Sequence, residues 1–196
     1  MIKEDEQKEM LLILDLDETL IHSSEKKLTG IDPDFSVGQF YVYKRPYLDE
    51  FLQYCNQHFR LAVWSSASYN YVKEIVINII PSDIKLEFTW GRNRCTLKRP
   101  VLRSHSNMHV YKSDHYEYTK QIKKVKRIGY DLRKVLIIDD TPAMVANCYG
   151  NAIYIKEFLG IPDNELKLLT GYLKWIKDVE NVRMIEKRFW KKKADN

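Results

Sequence analysis

The chain lacks any apolar run near the roughly 20 residues of a membrane-spanning helix. Its opening residues, MIKEDEQKEM, are charged and carry no apolar h-region, so no secretory signal is expected. Cysteine is scarce: Cys55, Cys95 and Cys148 are an odd set with no C-x-x-C pair. That argues against a disulfide framework and against a cysteine-rich zinc site. There is no internal repeat and no low-complexity tract. What remains is a globular chain of 196 residues, enough for one domain with a sizeable core and a modest insertion. A reducing, cytoplasmic compartment is the default, with the nucleus open in a eukaryotic host.

Charge is present but unevenly spread. The net charge is +5, yet Arg92–Lys134 holds thirteen basic residues against three acids. The rest of the chain is therefore net acidic. A basic block on an acidic body suggests an anionic partner such as a phosphoprotein, a phosphate ester or nucleic acid, with a solvated basic face as the plain alternative.

Short apolar runs alternate with helix-like segments. Met10–Leu14, Leu61–Trp64 and Val135–Ile138 read as buried strands, with Asn151–Ile155 as a fourth and Gln39–Tyr43 as an edge strand. Pro46–Gln57, Ser68–Ile80, Pro142–Cys148 and Asp163–Asp178 read as helices, the third capped by Thr141 with Pro142 in its first turn. Strands apolar on both faces that alternate with helices predict a Rossmann-like α/β fold, a parallel sheet flanked by helices. Residues 86–119 break the rhythm and read as a small, basic, β-rich insertion within one domain spanning 1–196. Residues 187–196 read as a basic tail anchored by Phe189 and Trp190.

Three buried runs end in polar residues: LLIL before Asp15, LAVW before Ser65, and VLII before Asp139 and Asp140. An open parallel sheet binds ligands beyond the carboxyl ends of its strands. The pattern therefore predicts one crevice holding Asp15, Asp17, Ser65, Asp139 and Asp140. Clustered carboxylates repel unless a cation compensates, and an all-oxygen set suits Mg²⁺. One carboxylate can then attack phosphorus, and the second, two residues on, can protonate the leaving group and later activate water. Ser65 and a lysine can hold the phosphoryl oxygens.

These segments resemble a known group. DLDETLIHSS is similar to the D-x-D-x-T/V motif of the haloacid dehalogenase-like superfamily. KRPYLDEFL, VWSSAS, WGRNRC and LIIDDTP resemble further segments of its RNA polymerase C-terminal-domain small phosphatases and NLI-interacting-factor-like phosphatases. The match runs in order over about residues 10–160. It implies a haloacid-dehalogenase-like fold and a Mg²⁺-dependent phosphatase. By position, Asp15 is the implied nucleophile and a metal ligand. Asp17 is the general acid/base and a ligand through its carbonyl, and Asp140 is the third ligand. Thr19 supports the first motif, Asp139 orders the metal shell or the lysine, Ser65 binds phosphate, and Arg92 places substrate. Lys120 is the closest match to the phosphate-binding lysine, with Lys123 as the alternative. Gln121 stands where the family usually has Asp.

Other features weigh less. His105, His109 and His115 lie close together, but no acid or cysteine completes a zinc pattern. Cys95 has basic neighbours but no C-x5-R loop. The expected substrate is phosphoserine or phosphothreonine in protein, because an insertion this small leaves the site open. A small metabolite or nucleic-acid end is the enzymatic alternative, and a non-catalytic scaffold is the other. A membrane partner is not expected, and the sequence does not set an oligomeric state.

Overall fold

The computed structural model describes residues 8–98 and 117–194. Arg99, Arg103, Lys112, the three histidines of the insertion and the last two residues of the tail lie outside the described residues.

A five-stranded parallel sheet forms the centre, built from β1 (Leu11–Leu14), β5 (Arg60–Trp64), β6 (Leu86–Trp90), β9 (Val135–Asp139) and β10 (Ala152–Tyr154), in the order β10-β9-β1-β5-β6. Side chains alternate across a strand, and the apolar runs supply both faces. Leu12, Leu14, Leu61, Val63, Leu136 and Ile138 join one core with α1 (Leu48–His58), α2 (Tyr69–Ile79) and α4 (Glu165–Ile176). Leu11, Ile13, Ala62, Trp64, Val135 and Ile137 face the other way, against α3 (Lys123–Arg127) and the segment around Val145 and Cys148. The expected parallel sheet, covered on both faces, is what forms.

Several elements differ from the sequence expectation. Pro142–Cys148 is not an α-helix; it is a run of turns ending in a three-residue 3-10 helix, Ala146–Cys148. The Met144 carbonyl, which an α-helix would give to the Cys148 amide, instead accepts the Lys120 amide at 2.7 Å. Cys148 N–H bonds the Val145 carbonyl at 2.7 Å. Leu86–Trp90, expected to open the insertion, is instead the edge of the main sheet. Beyond it, β7 (Thr96–Lys98) pairs antiparallel with β8 (Glu117–Thr119). The expected edge strand near Gln39–Tyr43 is β4 (Phe40–Lys44), the middle of a three-stranded antiparallel sheet. Its neighbours are β2 (Ile21–Ser24) and β3 (Phe35–Val37). Helix α1 starts at Leu48 rather than Pro46 because Tyr47 adopts a left-handed φ of 66°.

In the tail, Trp190 is buried and its indole N–H donates to the Tyr154 carbonyl at 2.8 Å, whereas Phe189 is 60% exposed. Of the two aromatics Trp190 is the one that anchors, and it leads into α5 (Lys191–Ala194) on α4. The three cysteines are buried free thiols. Among the described residues no helix is long and apolar enough to cross a membrane.

Candidate active site

Strand β1 is fully buried, and its end delivers Asp15, whose amide bonds the Ile138 carbonyl of β9 at 3.1 Å. The chain then turns tightly. The Leu16 carbonyl accepts the amides of Thr19, Leu20 and Ile21 at 3.2, 2.8 and 3.1 Å, and Glu18 sits at a φ of 55°. A buried arginine holds this turn from behind. Arg45 Nη1 donates to the Thr19 carbonyl at 2.9 Å, and Arg45 Nη2 donates to Asp163 Oδ2 at 2.7 Å and to the Lys156 carbonyl at 2.8 Å. Sequence reasoning missed the Arg45–Asp163 pair because its members lie 118 positions apart. An arginine directly between an alternating strand and a helix start was the available signal.

Lys120 occupies the centre. It is 1% exposed, and its ammonium donates to Asp15 Oδ1 and Asp139 Oδ2, each at 2.6 Å. Lys123, the alternative, is exposed on α3 and is not brought to these carboxylates. Burial works against the Lys120 charge, but Asp139 and Asp15 outweigh it and hold the pKa above the ordinary lysine value. The other oxygen of Asp139 accepts the Thr141 amide at 2.9 Å. Thr19 Oγ1 reaches both Asp140 Oδ1 at 3.2 Å and Asp15 Oδ2 at 3.4 Å.

Asp17 lies slightly apart. Tyr71, near the start of α2, donates its hydroxyl to Asp17 Oδ1 at 2.6 Å. Burial lifts the Asp17 carboxyl above the ordinary aspartate range against that bond. Tyr71 was one tyrosine among many in the sequence, and nothing in its spacing marked this contact. Ser65 is buried at the end of β5 and accepts the Ala67 amide at 3.0 Å. Arg92 follows Gly91, where a Cβ would sit only 3.0 Å from the Tyr69 Cα. That close approach lets the Arg92 amide bond the Ala67 carbonyl at 2.7 Å and its Nε bond the Ser66 carbonyl at 2.8 Å. A cavity of about 330 Å³ opens here, lined by Asp17, Ser23, Phe40, Ala67, Tyr71 and Arg92. Glu18 lines the same cavity, and burial together with Asp17, Asp140 and Glu157 pushes its carboxyl up to about 7.

A cation fits this centre. Carboxylate oxygens of Asp15, Asp139 and Asp140 lie within 4.8 Å of one another. One lysine serves two of these acids. Burial lifts the Asp15 carboxyl well above the usual range, and Asp139 and Asp17 add to this against the pull of Lys120. The centre is short of positive charge, and its all-oxygen donors suit a hard divalent ion. The Asp17 carboxylate, bound to Tyr71, is not in this group; Asp139 lies there by proximity, with both oxygens engaged by Lys120 and the Thr141 amide.

Comparison with known proteins gives the arrangement a family. A sequence model described as NLI interacting factor-like phosphatase matches residues 10–183. The Homo sapiens protein named carboxy-terminal domain RNA polymerase II polypeptide A small phosphatase 1 is 31% identical over 178 residues, covering 87% of this chain and 60% of its own length. Phosphatase Herzog of Drosophila melanogaster is 30% identical over 178 residues, covering 87% of this chain and 45% of its own. The chain thus spans about half the length of these relatives. Among solved structures, Fcp1, titled an essential RNA polymerase II CTD phosphatase, aligns with a TM-score of 0.55 at 20% identity, over 82% of this chain and 46% of that one. An uncharacterised protein from Listeria monocytogenes aligns with a TM-score of 0.54 at 14% identity, over 87% of this chain and 99% of that one. These two likenesses are of fold.

Proposed function

Because the chain belongs to the NLI interacting factor-like phosphatases, we propose that it hydrolyses phosphate monoesters through an aspartyl-phosphate on Asp15, with phosphoserine or phosphothreonine in protein as substrate. The observation that carries this reading is the buried Lys120 ammonium bridging Asp15 and Asp139 at 2.6 Å beside Asp140.

Asp15 attacks phosphorus as the bond to the ester oxygen breaks. Asp17 gives its proton to the departing serine or threonine oxygen. Its upward-shifted carboxyl suits the acid form, and Tyr71 holds it in position. In the second half Asp17 takes a proton from water, the water oxygen attacks phosphorus, and the bond to Asp15 breaks to release phosphate. Lys120 and the Ser65 hydroxyl hold phosphoryl oxygens through both halves. Asp15, Asp140 and the Asp17 carbonyl are the residues assigned to Mg²⁺. When bound, the ion supplies positive charge against the phosphoryl group and the aspartates. Arg45, through the Thr19 carbonyl, keeps the turn carrying these groups in shape.

The preference for a protein substrate is supported by the small size of the insertion at residues 86–119, too short for a large cap domain, beside a cavity of about 330 Å³ that Asp17 lines. Two relatives bear names of phosphatases, one of them for the RNA polymerase II C-terminal domain. Three buried free thiols suit a reducing compartment, cytoplasmic or nuclear. The test is hydrolysis of an aryl phosphate with and without Mg²⁺, comparing the wild type with Asp15→Asn. Mg²⁺-dependent turnover that the variant loses supports the reading. Turnover that survives the substitution removes it.

A further inference from the structure

Side chains from three parts of the chain form a one-way series of hydrogen bonds that ends on Asp17. The Tyr71 hydroxyl carries a single hydrogen and donates it to Asp17 Oδ1 at 2.6 Å. Ser23 Oγ lies 2.5 Å from the same hydroxyl. With the Tyr71 hydrogen already given to the carboxylate, Ser23 is the donor of this second bond and the Tyr71 oxygen its acceptor. Each partner is held by its own element. Ser23 stands on β2, where it pairs with Val42 of β4. Tyr71 lies in the first turn of α2, its amide donating to the Ser68 hydroxyl at 3.5 Å. The Tyr71 ring meets the Phe40 ring edge-on, with centroids 5.9 Å apart. Asp17, Ser23, Phe40 and Tyr71 all line the cavity of about 330 Å³.

Tyr71 occupies Asp17 Oδ1 as an acceptor, so the proton that Asp17 transfers is carried on Oδ2. As Asp15 attacks phosphorus, the bond to the ester oxygen breaks with its electron pair, and that oxygen takes the Oδ2 proton. Asp17 is left as a carboxylate. A hydrogen bond to a carboxylate is about twice as strong as one to a neutral acid. The Tyr71 bond therefore tightens as the proton leaves, and Ser23 polarises the hydroxyl that makes it. Support that grows toward the transition state accelerates the step. Its value depends on the leaving group, because a nitrophenolate departs unprotonated whereas an alkoxide needs the proton. Resting on the phosphatase reading above, we propose that Tyr71 and Ser23 are positioning residues for proton transfer: they act through Asp17, and so serve esters of alkyl alcohols far more than esters of acidic phenols.

The test is a leaving-group series in Mg²⁺. Wild type, Tyr71→Phe, Ser23→Ala and the double variant are compared by kcat/KM on 4-nitrophenyl phosphate, phenyl phosphate and a phosphoserine peptide. Tyr71→Phe keeps the ring and its packing on Phe40. It is expected to lower kcat/KM on the peptide about 10–100-fold, part of the roughly 10²–10⁴-fold that a general acid supplies. The loss on 4-nitrophenyl phosphate is expected to be about ten-fold smaller, with phenyl phosphate between the two. Ser23→Ala is expected to show smaller losses in the same order, and to add nothing once Tyr71 is replaced, because it acts through that hydroxyl. Fluorescence anisotropy of the labelled peptide on Asp15→Asn protein is expected to give the same Kd with or without Tyr71→Phe, since the support is made in the transition state rather than in binding. Equal losses on all three esters overturn the proposal. So does a loss of peptide affinity that accounts for the whole effect, which makes Tyr71 a wall of the substrate cavity. Additive losses in the double variant overturn the assignment of Ser23. A wild type that hydrolyses none of the three esters contradicts the phosphatase reading itself, whereas equal losses in an active enzyme contradict this inference alone.

Discussion

Among the described residues two lysines are buried, Lys120 at 1% and Lys187 at 4% exposure, and they are held in different ways. Lys120, in the site, meets two carboxylates at 2.6 Å. Lys187, in the C-terminal turn, donates to the main-chain carbonyls of Gly150 and Ile185, each at 2.9 Å, and of Val182, and pairs with no carboxylate among the described residues. Burial disfavours the charge in both. At Lys120 the carboxylates reverse the effect. At Lys187 they are missing, and burial pushes the ammonium down to about 8 despite the pull of Glu186. A buried ion pair is a poor source of stability, so the Lys120 arrangement makes sense as machinery for holding charge at the site. The Lys187 arrangement pins a turn.

The comparison can be broken most severely at the site. Lys120→Met leaves Asp15 and Asp139 buried without their cation. Its expected effects are a loss of about 10³-fold in aryl phosphate turnover, on the scale of removing a preorganised charge donor, and about 3–5 kcal/mol of stability. Steady-state kinetics and urea unfolding in Mg²⁺ check both. Asp139→Asn is milder, since Lys120 keeps Asp15. Turnover is expected to fall about 10–100-fold, as for other supporting partners of a metal centre, with the fold retained. Lys187→Met does the reverse. It removes three donated hydrogen bonds and costs about 1–3 kcal/mol, seen in urea unfolding, while turnover at room temperature stays at the wild-type value.

The smallest effect sharpens the comparison through pH. Folded, Lys187 loses its proton near 8, against 10.5 ordinarily. Between those values the unfolded chain binds more protons, so raising the pH favours the folded state. Stability is therefore expected to gain a positive slope from about pH 8 to 10.5 that Lys187→Met lacks. Unfolding midpoints of the two proteins across that window check it. An identical slope in both removes the assignment to Lys187.

Both lysines also show what the sequence can display. The ends of β1, β5 and β9 were legible because uninterrupted apolar runs must be buried, and the residue after each run is carried to the same edge of a parallel sheet. Lys120 was harder to read. It lies in YTKQIKK, where no apolar period separates it from Lys123. Its burial depends on the Met144 carbonyl and the Cys148 thiol, which bond its backbone at 2.7 and 3.2 Å from another part of the chain. The same contact diverted residues 142–148 from the helix that Thr141 and Pro142 suggested. The pairing of Arg45 with Asp163 and of Tyr71 with Asp17 was hidden for a related reason: the partners are distant in sequence and neither pair follows a period. Strands β2 and β3 are short and partly polar, so pairing with β4 rather than local pattern creates them.

The central claim is that Asp15 carries the phosphoryl group, and trapping that group tests it most directly. The Asp17→Asn variant, slowed in releasing the group because its water lacks a base, is mixed with an aryl phosphate in Mg²⁺, quenched in acid, digested and examined by mass spectrometry. The predicted result is one added phosphoryl group on the peptide containing Asp15, removed by hydroxylamine and absent when Asp15 is also replaced by Asn. Turnover by the wild type with no phosphoryl group on that peptide, or with the group on another residue, would contradict it.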